Sequence, residues 1–129
     1  MLVTHRGRRT GLLRQTVVEV LRYDPATRES VVLSALGERA DWYRNIQASP
    51  PLEVQTGRLR YVPQYRLLPP EEAHAVWMAF ERAHPIEARL AGTVLGWTYD
   101  HTPVGRRDLA QAIRLVAFRP VPGDASTGA

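Results

Sequence analysis

Three arginines lie between and just beyond two glycines near the start of the chain, in the segment Gly7-Arg8-Arg9-Thr10-Gly11-Leu12-Leu13-Arg14. Apolar residues flank this segment on both sides, which predicts a turn between two β-strands rather than a loose tail. Glycines allow a positive φ and close approach of a ligand to the backbone, and each guanidinium presents a planar set of donors that matches phosphate or carboxylate oxygens. The residue types therefore indicate an anion-binding turn. A hairpin turn that is merely basic is the alternative that this segment alone leaves open.

The charge of the chain is concentrated at the same end. The 129 residues include 17 basic side chains, all of them arginine, and 13 acidic ones, which gives a net charge of +4. The first 22 residues hold five arginines and one acid, Glu19, so this segment alone equals the net charge. Arginine occurs along the whole chain, as expected for a GC-rich genome, but its excess here favours an anionic partner at this end.

The composition excludes several kinds of site. Without cysteine the chain has no disulfide, thiolate zinc site or cysteine nucleophile, which suits a reducing cytoplasm. No apolar run is long enough for a membrane span and no signal peptide is recognisable, so we expect a cytoplasmic protein. The four histidines are dispersed and complete neither a Ser/His/Asp set nor a zinc site, so we expect no metal.

Short apolar runs separated by turn residues predict about six largely antiparallel strands. These are residues 1–5, 14–23, 29–35, 52–56, 59–67 and 115–118. Asp24-Pro25-Ala26-Thr27 is a turn, because Asp opens it and Pro presets φ at the next position. Since residues 14–23 are apolar on both faces, we expect that strand to be covered on both sides.

Helices are predicted at residues 40–48, from Pro69 onward and at 86–95. The second begins with Pro69-Pro70-Glu71-Glu72, which places acids at the positive end of the helix dipole. It continues with one apolar stripe at helical spacing, formed by Ala73, Val76, Trp77 and Phe80. Together these elements predict one domain over residues 1–121, a mainly β barrel whose open seam is covered by helices, and a disordered tail at 122–129.

A second motif follows the basic turn after one predicted hairpin. Ser34 and Gly37 close the third strand, and the segment Trp42-Tyr43-Arg44-Asn45-Ile46 comes next, with Pro50 beyond it. In this order the two segments resemble the deazaflavin-dependent nitroreductase family, a branch of the flavin/deazaflavin oxidoreductases. That family shows G-R-[KR]-[ST]-G-x-x-R followed by W-Y-x-N-[LI], on an FMN-binding-like split β-barrel. The match covers roughly residues 3–85, and also includes the final apolar strand.

The resemblance implies an enzyme that transfers a hydride between reduced coenzyme F-420, an 8-hydroxy-5-deazaflavin, and a quinone, nitro or other conjugated acceptor. The tail of this coenzyme carries a phosphate and several carboxylates, and the resemblance implies that Arg8, Arg9 and Arg14 bind them. The implied cofactor-binding residues are Arg8, Arg9, Thr10, Gly11, Arg14, Ser34, Ala35, Trp42 and Asn45. Family members carry tyrosines that line the acceptor pocket after the late helix, whereas this chain has one there. Trp97, Tyr99 and His101 are therefore the candidates for that pocket, and no catalytic residue is assigned.

Several points stay open from the sequence: the cofactor, the function and the oligomeric state. FMN is the alternative cofactor, because its phosphate could sit on the same arginines. A carrier that holds the deazaflavin without turnover is another reading. A basic barrel that binds nucleic acid is disfavoured, because Tyr61 and Tyr65 alternate with arginines and share a face with leucines, whereas such modules expose their aromatics. Related split barrels are often dimers, so we infer a homodimer by analogy, and we expect no membrane association.

Overall fold

The computed structural model describes residues 1–34, 37–94 and 114–121, and for residues 91–94 the helical backbone alone. These residues form eight strands, three α-helices and one short 3-10 helix. The strands are β1 (Leu2–Arg6), β2 (Leu13–Val17), β3 (Val20–Asp24), β4 (Glu29–Ser34), β5 (Glu53–Thr56), β6 (Leu59–Tyr61), β7 (Pro63–Leu67) and β8 (Arg114–Pro120). The helices are α1 (Asp41–Ala48), α2 (Pro70–Ala83) and α3 (Pro85–Val94), with the 3-10 turn at Gly37–Arg39.

The strands form two antiparallel sheets of four, in the orders β2-β1-β5-β6 and β3-β4-β8-β7. This arrangement confirms the expected mainly β class. Side chains of both sheets meet in one core, which includes Val3 and Val54 from the first sheet, Val32 and Phe118 from the second, and Ile46 from α1. Helix α1 therefore closes the barrel and lies beside the strand that leads into the basic turn.

Two predicted strands are each divided between the two sheets, which is why the count is eight rather than about six. In residues 14–23, the amide of Val18 donates to the carbonyl of Met1 in the first sheet, and the carbonyl of the next residue, Glu19, accepts from Leu33 in the second. The chain thus changes sheets within two residues. Residues 59–67 divide in the same way at Val62, so Tyr61 and Tyr65 belong to different sheets.

Strands β4 and β8 are covered on both faces. The expectation for residues 14–23 was wrong for β2, whereas Val20 and Leu21 of β3 do pack against different core clusters. Val32 of β4 packs inside the barrel, whereas Val31 and Leu33 pack against α2. Strand β2 lies at the edge of its sheet, where Leu13 and Val17 are exposed. Apolar residues on both faces therefore do not by themselves identify a central strand, because Val20 and Leu21 lie on β3, the edge strand of the second sheet.

The apolar stripe of α2 is confirmed. Ala73, Val76, Trp77 and Phe80 are all buried against the second sheet, and the helix ends where the amide of His84 donates to the carbonyl of Phe80. Helix α3 starts at Pro85, with Ala88 buried in the same cluster.

A group of charged side chains connects α2 to the second sheet. The guanidinium of Arg66 on β7 donates to both carboxylate oxygens of Glu29 on β4, at 3.0 and 3.1 Å. It also donates to both oxygens of Glu72 on α2, at 2.6 and 2.8 Å. Arg22 and Arg119 lie within 4.0 Å of Glu29. The hydrogen bonds from Arg66 hold the pKa of Glu29 and of Glu72 below the usual range of a glutamate, although burial opposes the shift.

Replacing Arg66 by Gln should destabilise the fold by roughly 1–3 kcal/mol, because the buried carboxylate of Glu29 loses its bidentate partner. Since folding lowers the pKa of both glutamates, the stability they contribute is present above about pH 4.5 and is lost as the pH falls through the lowered folded values. Urea denaturation at about pH 7 and about pH 3 should therefore show a smaller acid loss in Arg66→Gln than in the wild type.

The matched control is Arg60→Gln, which removes a more exposed pair with Glu53 on β5. Such surface pairs contribute about 0–1 kcal/mol. Equal destabilisation by the two substitutions would contradict the structural role assigned to Arg66.

Candidate functional site

The basic segment between β1 and β2 is a closed turn, as its glycines predict. The amide of Gly7 donates to the carbonyl of Leu12 and the amide of Gly11 donates to the carbonyl of Gly7, both at 2.8 Å. Gly11 has a φ of +74°, which other residues rarely adopt, and a Cβ on Gly7 would lie 2.8 Å from Oγ1 of Thr10. The hydroxyl of Thr10 in turn accepts from the amide of Leu12 at 3.2 Å. The turn is thus held by its own backbone, and its arginine side chains are not needed for closure.

Helix α1 fixes the turn from the other side through one amide side chain. Oδ1 of Asn45 accepts from the backbone N–H of Arg8 at 3.1 Å and from Nη1 of the same residue at 2.8 Å. Trp42, Asn45 and Ile46 lie on one buried face of α1, as their spacing predicts. A single oxygen therefore sets both the backbone and the guanidinium of Arg8.

The second partner of Arg8 is a carboxylate. Oδ1 of Asp41 lies 3.3 Å from both Nη1 and Nη2 of Arg8. The Asp41 side chain is 83% exposed, so this ion pair is screened by water and contributes little to stability. Because Asp41 is the first residue of α1, its charge also lies at the positive end of the helix dipole.

Behind Asn45 lies a buried histidine. His5 on β1 is only 2% exposed; its Nδ1 is 3.1 Å from Nδ2 of Asn45 and its Nε2 is 3.0 Å from Oγ1 of Thr16 on β2. Burial lowers the pKa of His5, the nearby charge of Arg14 lowers it further, and Asp41 opposes both. His5 is therefore neutral at pH 7.

These elements enclose an open cleft of about 380 Å³. It is lined by His5, Gly7, Arg8, Arg9, Thr10, Arg14, Gln15, Thr16, Asp41, Trp42 and Asn45. The β1–β2 register pairs Arg14 with His5, which directs Arg14 to the cleft side of the sheet. Within the ranges that the structure describes, Arg9 and Arg14 are exposed and the side chain of neither makes a hydrogen bond or ion pair. The cleft thus has three guanidinium groups and one carboxylate, and two of those guanidinium groups are available to a ligand.

Trp42 forms the apolar part of the lining. It is largely buried, with its ring edge-to-face against Tyr43 at a centroid distance of 6.1 Å and tilted against Phe118 at 6.5 Å. Core packing therefore fixes the ring, and the edge that reaches the cleft is held rigidly. Tyr43 does not line the cleft.

Six of the nine predicted cofactor residues line this one cleft, namely Arg8, Arg9, Thr10, Arg14, Trp42 and Asn45. Gly11 shapes the turn. Ser34 does not line the cleft, because it is buried in the second sheet, where its hydroxyl donates to the carbonyl of Gly37 at 2.9 Å. Ala35 lies outside the described residues, as do the three acceptor-pocket candidates Trp97, Tyr99 and His101.

Five further lining residues were not among the predicted cofactor residues, namely His5, Gly7, Gln15, Thr16 and Asp41, although Gly7 belongs to the predicted turn. A signal for His5 was available, since it follows Val3 by two positions in a short strand and so shares its inward face. Asp41 precedes Asn45 by one helical turn, which places the two on neighbouring positions of α1.

In the same described residues, no three histidine or acidic side chains are grouped as metal ligands would be. None of the helices described is both long and apolar enough to span a membrane.

Comparison with known proteins identifies the family. The model of the F420H(2)-dependent quinone reductase family matches residues 1–93. A solved structure described as "Structure of F420-H2 Dependent Reductase (FDR-A)" superposes with a TM-score of 0.58 at 21% identity, covering 92% of this chain and 91% of that one, which establishes the split-barrel fold. No curated protein matches. Because the family match spans most of the chain and includes both motifs, the protein belongs to the F420H(2)-dependent quinone reductase family and is an oxidoreductase that uses coenzyme F-420 and a quinone acceptor.

Proposed function

We propose that the cleft between the β1–β2 turn and α1 holds the acidic tail of coenzyme F-420. The observation that carries this proposal is the pair of exposed guanidinium groups, Arg9 and Arg14, that line the cleft without protein partners among the described residues. Arg8 is the third donor, already oriented by Asn45. Charge-assisted hydrogen bonds contribute about 1.5–3 kcal/mol each, so these groups are sufficient to anchor a flexible anion.

The residues present fit such a ligand. The tail contributes phosphate and carboxylate oxygens, which are acceptors only, and the cleft wall supplies mainly donors. Because backbone hydrogen bonds close the turn, its guanidinium groups can turn to a ligand without loss of the turn itself. Asp41 is the one lining group that opposes an anion, because its carboxylate accepts from the guanidinium of Arg8 and competes with the ligand for it.

When bound, the reduced coenzyme supplies a hydride, which is two electrons and a proton, to the quinone. The protein's part is to position the coenzyme and the quinone and to exclude water, so this chemistry needs no nucleophile and no metal. We assign anchoring to Arg8, Arg9 and Arg14, and an apolar wall near the deazaflavin ring to Trp42. Thr10 and Gly11 maintain the shape of the turn. We propose Ser34, Ala35 and Asn45 on the ring side by resemblance, with Asn45 also holding Arg8.

The acceptor pocket is proposed from the sequence alone. Trp97, Tyr99 and His101 remain its candidates, and nitro compounds or other conjugated electrophiles are proposed as acceptors besides the quinone. Steady oxidation of the reduced coenzyme after quinone is added would distinguish an enzyme from a carrier that holds the coenzyme without turnover.

The other rival functions are less well supported. Nucleic-acid binding by base stacking needs exposed aromatics, whereas Tyr61 is 3% exposed and lies in the core. The family indicates the deazaflavin rather than FMN. We further infer a cytoplasmic protein, since the absence of cysteine suits a reducing compartment. That it works without membrane association is a separate proposal from the sequence. By analogy with other split barrels we infer a homodimer, and sedimentation velocity would test it.

Replacing Arg9 or Arg14 by Met should weaken binding of coenzyme F-420 by roughly tenfold or more each, because each substitution removes one charge-assisted contact and leaves the turn closed. Fluorescence titration with the oxidised coenzyme measures the dissociation constant directly. The same titration with FMN tests cofactor choice, and we expect much weaker binding.

Arg58→Met is the matched control, because it removes the same charge from the exposed β5–β6 turn. It should leave the affinity within about twofold, apart from a general electrostatic effect that salt removes. If Arg9→Met and Arg14→Met behave like this control, the tail does not bind in the cleft.

Replacing Asp41 by Asn should strengthen coenzyme binding by roughly fivefold, because about 1 kcal/mol of repulsion between the carboxylate and an anion is removed. The gain should shrink as salt is raised from low to high concentration. Asp24→Asn, the same change in the β3–β4 turn, is the control. Unchanged or weaker binding by Asp41→Asn would show that Asp41 helps the ligand rather than repelling it.

A further inference from the structure

A continuous series of hydrogen bonds runs from β2 through β1 and α1 to the basic turn. It joins Oγ1 of Thr16 to Nε2 of His5, Nδ1 of His5 to Nδ2 of Asn45, and Oδ1 of Asn45 to the guanidinium and amide of Arg8. His5 and Asn45 are both almost fully buried, so water does not compete for these bonds. The hydride-transfer chemistry assigns no task to the histidine.

The donors and acceptors of this series can be assigned in one direction. Both groups of Arg8 that reach Asn45 are donors, so the atom between them must be the amide oxygen, and the amide NH₂ faces His5. An NH₂ group only donates, so Nδ1 of His5 must accept. The ring proton of neutral His5 is then on Nε2, which donates to Thr16.

We infer that His5 is a positioning residue, whose neutral Nε2–H tautomer holds the Asn45 amide and through it the guanidinium of Arg8 in the orientation that receives an anion. This inference rests on the proposed role of Arg8 in binding the coenzyme tail. It gives the buried histidine a role in affinity rather than in hydride transfer.

Protonation of His5 reverses the direction of the hydrogen bond between His5 and Asn45. An imidazolium donates from both nitrogens, so Nδ1–H would face the NH₂ of Asn45, and the amide must turn its oxygen to the ring. Asn45 would then present donors to the donors of Arg8, which loses both of its bonds to Asn45 and keeps its exposed ion pair with Asp41. Acid therefore releases the backbone of Arg8 from α1 and leaves its guanidinium on a carboxylate that competes with an anion.

The charged groups around His5 set the pH range of this change. Arg14 faces it from β2 and Asp41 from α1; Glu53 on β5 is paired with Arg60. Burial and Arg14 keep the pKa of His5 below its usual value of 6.5, and Asp41 opposes them. The series is thus intact at neutral pH and breaks as the pH falls through the lowered pKa of His5.

The sign of the pH effect distinguishes this inference from simple electrostatics. A new positive charge beside the cleft would by itself strengthen the binding of an anion. Release of Arg8 weakens it instead. We expect the affinity for coenzyme F-420 to fall about tenfold as His5 is protonated, which corresponds to the loss of one charge-assisted contact.

The test compares the wild type with His5→Gln and His5→Phe by fluorescence titration from about pH 7.5 down to about pH 5. Gln can accept from Asn45 and donate to Thr16 but does not titrate, so it should keep the neutral-pH affinity and lose the acid-dependent decrease. Phe offers no acceptor and should bind about tenfold more weakly at every pH. Thr4→Val, on the same strand, is the control and should match the wild type. The ionisable groups of the coenzyme titrate equally in all variants, so differences between variants report His5.

A second measurement needs no variant and no coenzyme. In ¹⁵N NMR of the wild type, His5 should be the Nε2–H tautomer, and the Arg8 amide and the Asn45 side-chain amide should shift with the same midpoint as His5. An Nδ1–H tautomer, Arg8 and Asn45 signals that ignore the His5 titration, or affinity that rises as His5 is protonated would overturn the inference. Because this experiment uses the protein alone, it can fail while the Arg9 and Arg14 variants still establish where the tail binds.

Discussion

The oxygen of one amide, Oδ1 of Asn45, accepts two hydrogen bonds from a residue 37 positions earlier in the chain, and the geometry of the cleft depends on it. The β1–β2 turn can close by itself, but a hairpin alone does not determine its orientation relative to a helix. The backbone bond from Arg8 fixes that relation, and the guanidinium bond fixes the side chain. Since Asn45 is buried beside Trp42 and Ile46, the position of the oxygen is determined by core packing rather than by the surface.

The chain uses arginine in two different ways. On the second sheet, Arg66 is surrounded by the carboxylates of Glu29 and Glu72, and its charge is fully compensated inside the protein. In the cleft, Arg9 and Arg14 line an open space without such partners in the described part of the chain. The difference lies in where acids are placed, because the side chains are chemically the same. A protein that has arginine and no lysine can therefore combine structural ion pairs and an anion site in one small barrel.

The sequence was sufficient for the family, the fold class and the core of the cleft, because those depend on local signals. The turn between two glycines, the shared face of Trp42 and Asn45, and the apolar stripe of α2 are all properties of short segments. What it did not reveal depends on tertiary pairing. No glycine or proline marks the change of sheet at Val18 and Glu19, since the cause is that their backbone groups bond to different strands. The position of Ser34 also depends on tertiary pairing. Its hydroxyl donates to the carbonyl of Gly37, and the course of the chain after β4 determines where that carbonyl lies.

Strand β2 is the outermost strand of its sheet, so the turn that precedes it meets the barrel through β1 and, at Arg8, through Asn45 of α1. Insertions or deletions in that turn would leave the pairing of the remaining strands unchanged. The anion-binding element can thus diverge in length and charge during evolution while the framework stays constant. A change of length there would alter the reach of Arg9 and Arg14 and leave the interior of the barrel as it is.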